Sequence, residues 1–71
     1  MSPIVVRVQQ LGHLFMAHAE ITRVTTSPDL SAKLAGAVVL GCDVSEVEII
    51  SVSDSKEHYL VQRVEMKGAT P

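Results

Sequence analysis

A chain of 71 residues with a net charge of −2, 46% hydrophobic and with one phenylalanine and one tyrosine, is a single small domain spanning 1–71 with an aliphatic core. The slight acidic excess lacks the basic field through which counterion release supplies nucleic-acid affinity, so nucleic-acid binding is not favoured. A lone cysteine, Cys42, rules out an internal disulfide, and no Cys/His cluster marks a structural zinc, which leaves association with another chain as the expected supplement to a thin core.

The N-terminal stretch MSPIVVRVQQ lacks the basic start and long apolar centre of a signal peptide. The uncharged run from Leu34 to Cys42 falls well short of the ~20 residues that a membrane span needs. A cytoplasmic protein with no membrane contact is expected, and a single unpaired thiol fits a reducing compartment.

Pro3 to Gln10 alternates Ile4, Val6 and Val8 with Val5, Arg7 and Gln9, which predicts a strand. Gly12 supplies the turn, and Leu14 to Thr26 predicts a second extended segment. In that segment Phe15, Ala17, Ala19 and Ile21 form one face and His18, Glu20 and Thr22 the other. The apolar parity slips near Arg23 and Val24, where a bulge or strand end is expected.

Ser27 to Gly41 predicts one helix. Ser27 is its N-cap, Pro28 fills the first helical position, and Asp29 suits the positive end of the dipole. Gly41 is placed to end it. The helix is apolar nearly all round. At 100° per residue, Leu30, Leu34, Ala37, Val38 and Gly41 fall on one side, read as the face for the sheet. Ala32, Ala35, Gly36 and Val39 fall on the other, with Leu40 at the border. Small residues four apart let a second backbone approach closely, so these five are expected to form a homodimer interface.

Val47 to Ser53 predicts a third strand, Asp54 to Glu57 a polar connection, and His58 to Met66 a fourth strand; residues 67–71 are expected to fray. The order is strand, strand, helix, strand, strand. Its simplest packing is an α+β two-layer domain, a four-stranded antiparallel sheet with the helix across one face.

Candidate chemistry is sparse. His13 and His18 have opposite parity on adjacent segments, His58 opens the last strand, and the three are expected to be separate surface histidines, so neither metal binding nor acid–base work is expected of them. Cys42 sits at a helix C-terminus beside Asp43, where a thiol is inert. The serines lie in cap and turn contexts, and the glycines have no phosphate-cradling spacing. No catalytic residue, cofactor or metal site is expected, and the chain is not expected to be an enzyme.

Strand parity places Arg7, His18, Glu20, Tyr59, Arg63 and Glu65 on the sheet face away from the helix. Arginine and tyrosine are frequent anchors of protein interfaces, so this mixed-sign face is the expected partner-binding surface. In size and element order the chain resembles small phage and mobile-element inhibitors, anti-CRISPR proteins among them. That resemblance implies a non-catalytic homodimer that occupies a surface of a larger host protein or complex. The alternatives are a nucleic-acid accessory protein, with Arg7, Arg23, Lys56, Arg63 and Lys67 on a phosphate backbone, and a structural subunit of a larger assembly.

Overall fold

The computed structural model describes residues 3–64. Five strands and one helix follow in chain order: β1 (Ile4–Leu11), β2 (Leu14–His18), β3 (Thr22–Thr25), α1 (Pro28–Leu40), β4 (Val47–Val52) and β5 (His58–Arg63), with a single 3-10 turn at Val44–Glu46 before β4. The strands form one sheet in the order β3-β2-β1-β5-β4, and each neighbouring pair is antiparallel. The α+β class and the helix across one face stand as expected. The sheet has five strands rather than four.

The extra strand comes from the segment Leu14 to Thr26, expected as one extended segment with a bulge or strand end near Arg23 and Val24. It reverses at Ala19–Ile21, where the Ala19 amide donates to the Ile21 carbonyl at 3.0 Å. The parity slip seen at Arg23 and Val24 is the far side of this reversal. The turn contains no glycine, proline, asparagine or aspartate, the residues that mark turns in sequence.

Helix α1 begins and ends as its signals require. The Ser27 hydroxyl accepts from the Leu30 amide at 3.3 Å, and Pro28 opens the helix. Gly41 takes a left-handed φ of 73°, with its amide 3.3 Å from the Val38 carbonyl and the Cys42 amide donating to Ala37 at 3.0 Å, a Schellman closure. A buried hydroxyl ties the helix to the sheet. The Ser31 Oγ donates to the Phe15 carbonyl on β2 at 2.8 Å and lies 2.6 Å from the Thr25 Oγ1. Thr25 in turn receives the Ser27 amide at 3.0 Å, so one polar cluster positions the first helical turn over β2 and β3.

The two helix faces are largely the reverse of those expected. Ala32, Ala35 and Gly36 are buried against this chain's own sheet, while Leu30 and Val38 are 44% and 50% exposed. Ala37, assigned to the sheet side, is buried, and Leu34 is half-buried. The reason is the bulk already standing on the sheet. Val6, Val8, Tyr59 and Val61 fill its inner face, so the helix meets them with its small residues. A Cβ built on Gly36 would lie 2.8 Å from the Val61 Cγ2, closer than a side chain tolerates. Ala32, Ala35 and Gly36 therefore cannot meet a second copy. Val39 and Leu40 are half-buried, and Leu40 packs against the core of its own chain.

The connections at the sheet ends are polar. The β4–β5 loop closes with the Lys56 amide donating to the Ser53 carbonyl at 2.9 Å and Lys56 at φ 63°. A bulge between Ile49 and Ser51 interrupts the β4–β5 register on the edge strand β4.

Candidate functional site: the uncovered sheet face

With α1 on one side, the other side of the sheet is uncovered. Register decides which residues occupy it. Val6 and Val8 on β1 point inward and are buried, so Val5, Arg7, Gln9 and Leu11 point outward, and all four are exposed. On β2 the outward residues are Leu14, Met16 and His18, opposite Leu11, Gln9 and Arg7. On β3 they are Thr22 and Val24, opposite His18 and Met16. On β5 they are His58, Leu60 and Gln62, with His58 opposite Arg7 and Leu60 opposite Val5.

The six expected partner-binding residues divide. Arg7 and His18 lie on the outward face as expected. Glu20 is exposed but lies in the β2–β3 turn, because the strand ends before it. Tyr59 is a correction. It pairs with Val6, shares its inward parity and is 5% exposed, so it belongs to the core. Its strand starts at His58, as expected, but the outward positions are His58, Leu60 and Gln62. Arg63 shares the parity of Tyr59 and sits at the end of β5, where its Nε and Nη2 donate to the Glu46 Oε1 at 3.0 and 2.7 Å. Glu65 lies outside the described residues, as do residues 67–71.

The histidines also depart from expectation. His13 stays apart in the β1–β2 turn, but His18 and His58 flank Arg7 on adjacent strands. The sheet order β2-β1-β5 makes this row, and a local reading cannot reach it because β1 and β5 are far apart in sequence. Thr22 extends the row on β3. Its Oγ1 and the His18 Nδ1 are hydrogen-bonded at 2.9 Å. Above them lies a recess of about 250 Å³ lined by Arg7, Gln9, Met16, His18 and Thr22.

Aliphatic side chains border this polar centre. Val5 and Leu11 are each 55% exposed and Val24 is 50% exposed. Beyond Leu60, the Gln62 Nε2 donates to the Glu48 Oε2 at 2.6 Å across β4 and β5.

A wider depression of about 540 Å³ opens at the end of the sheet, between Phe15, Pro28, Tyr59 and the loop at Ser55–Glu57. Tyr59 is its only hydroxyl from the core, and burial, then the negative charge of Asp29, pushes that phenol above its ordinary range. No nucleophile paired with a base lines it. Among the described residues no three His, Cys, Asp or Glu side chains gather into a metal-ligating group. Cys42 is half-buried and packs against the core. No described helix is long and apolar enough to cross a membrane.

No protein-family model, curated protein or solved structure matches this chain.

Proposed function

We propose that the chain is a small non-catalytic protein-binding module that engages its partner through the uncovered face of the sheet. One observation carries the reading: the outward face combines exposed Val5, Leu11 and Val24 with a polar centre at Arg7, His18 and His58. Apolar residues around a few directional polar groups are the make-up of a recognition surface, and arginine is enriched among interface anchors. An inhibitor of host machinery is the narrower form of this proposal and works by the same occupation of a partner surface.

Photo-cross-linking in the native cell tests it. A photoreactive residue at Val5 is expected to give an adduct of one defined mass, lost in R7E and reproduced with the purified partner. A photoreactive residue at Leu30, on the opposite layer, is expected to give none. An adduct from position 30 and none from position 5 moves binding to the helix and overturns the reading.

A further inference from the structure

The row across β3, β2, β1 and β5 gathers positive and hydrogen-donating groups with no anion among them. Arg7 is the register partner of both His18 and His58, and directly opposed residues of an antiparallel pair hold their Cβ atoms about 4.5–5.5 Å apart. Among the described residues the one ion pair is Arg63 with Glu46, so Arg7 has no carboxylate partner there. β1, β2 and β5 bring Arg7, His18 and His58 to the row, and β3 brings Thr22. The carboxylates nearest in the chain are Glu20, in the turn after β2, and Glu57, in the loop before β5.

We propose that this row is an oxyanion site for a phosphomonoester group. The proposal rests on the reading above that the uncovered face is the binding face, and it names the chemistry recognised there. The guanidinium of Arg7 presents a planar fork that takes two oxygens at once. A carboxylate has only two oxygens, and that fork alone satisfies it. Here further donors are carried beside Arg7 on both neighbouring strands: His18 is its register partner on β2 and His58 on β5, and Gln9 lies two residues along β1 on the same face. Such a set suits a tetrahedral group with three free oxygens and a double negative charge. The bond between Thr22 and the His18 Nδ1 fixes one edge of that ring and leaves Nε2 as the nitrogen available to the ligand. The recess lined by Arg7, Gln9, Met16, His18 and Thr22 leaves room for such a group over the β1–β2 half of the row. A phosphodiester has only two free oxygens and a single charge, so it uses the row less fully.

The test is a titration of the full-length protein followed by NMR of the imidazole and guanidinium signals. Sulfate is the first probe, because its charge stays fixed while histidine gains a proton. The His18, His58 and Arg7 signals are expected to shift saturably, with His13 as an internal reference that does not. Binding is expected to be tighter at about pH 6 than at about pH 8, where histidine is the side chain that changes charge. R7Q is expected to weaken binding by about tenfold or more, since it removes a charge-assisted bidentate contact. The double variant H18Q/H58Q is expected to abolish the pH dependence. Equal shifts of all three histidines, an unchanged affinity in R7Q, or a pH dependence that survives in H18Q/H58Q overturns the proposal.

Phenyl phosphate, free phosphoserine and a phosphoserine peptide distinguish the sources of the group. A peptide that binds at least about tenfold tighter than phosphoserine, more than one charged contact supplies, assigns the site to a phosphorylated protein partner. Equal affinities assign it to a small phosphorylated ligand. A single-stranded oligonucleotide that binds more tightly than all three, with a steep salt dependence, overturns the monoester assignment. No protein partner enters this titration, so its failure and a failure of the cross-linking experiment are separate results.

Discussion

At the scale of single residues, Gly36 sets the distance between the two layers. Its missing Cβ would fall 2.8 Å from the Val61 Cγ2, and Val61 is fully buried and cannot swing away. G36A is therefore expected to destabilise the fold by about 1–3 kcal/mol, the usual cost of overpacking a filled core. The same substitution in a V61A background is expected to cost much less, because the colliding methyl is gone. Chemical denaturation of the four proteins in this cycle reads the coupling. A G36A penalty that is the same in both backgrounds would show that the helix is not seated on Val61. G36L is by the same clash expected to unseat the helix from its own sheet.

At the scale of elements, α1 carries two apolar stripes and uses the one with less bulk. The sheet supplies large side chains from Val6, Val8, Tyr59 and Val61, so the complementary layer is Ala32, Ala35 and Gly36. Leu30 and Val38 remain outside. Lysine at either outward position is expected to change stability by no more than about 0.5 kcal/mol, as for surface substitutions without a special contact, with A35K as the disruptive control. Thermal melts of L30K, V38K and A35K check this, and a collapse of L30K equal to that of A35K would put Leu30 in the core. The helix ends were legible because caps are local. Ser27, Pro28, Gly41 and Cys42 act on their own neighbours. The β2–β3 turn was not, because Ala19–Ile21 turns without any of the usual turn residues; the bond from the Ala19 amide to the Ile21 carbonyl closes it and Ala19 packs against the core.

At the scale of the whole molecule, two ionisable groups tie stability to pH in opposite directions. Tyr59 is buried in the core with Asp29 adding negative charge, so its phenol ionises above the ordinary value of 10.0. Below that value the group is neutral whether folded or unfolded, and its contribution is fully present. As pH rises through it, the unfolded chain ionises first and stability is lost. Asp43 behaves in reverse. Its carboxylate accepts from the Ser45 Oγ at 2.6 Å and the Ser45 amide at 3.2 Å, side-chain bond first, which holds it below the ordinary value of 3.8. Its contribution is present above that value and lost as pH falls through the folded one. Denaturation midpoints followed from about pH 8 to about pH 11 are expected to fall for the wild type and to stay flatter for Y59F, since phenylalanine has no proton to lose. An equal fall in both proteins would show that Tyr59 is not the group responsible.

The sequence by itself determined what depends on near neighbours. The alternation in β1, the capped helix and the polar β4–β5 connection all follow from residues within a few positions of each other. Arg7 and His18 were placed correctly because parity along one strand is local. Only the tertiary structure decided which helix stripe faces inward, that Tyr59 is core, and that His58 stands beside Arg7. Periodicity gives two stripes half a turn apart and no sign to choose between them; the choice is made by the bulk already standing on the sheet. Strand order is likewise a property of contacts between distant segments. The β2-β1-β5 order that assembles His18, Arg7 and His58 exists only once the two ends of the chain have been brought together.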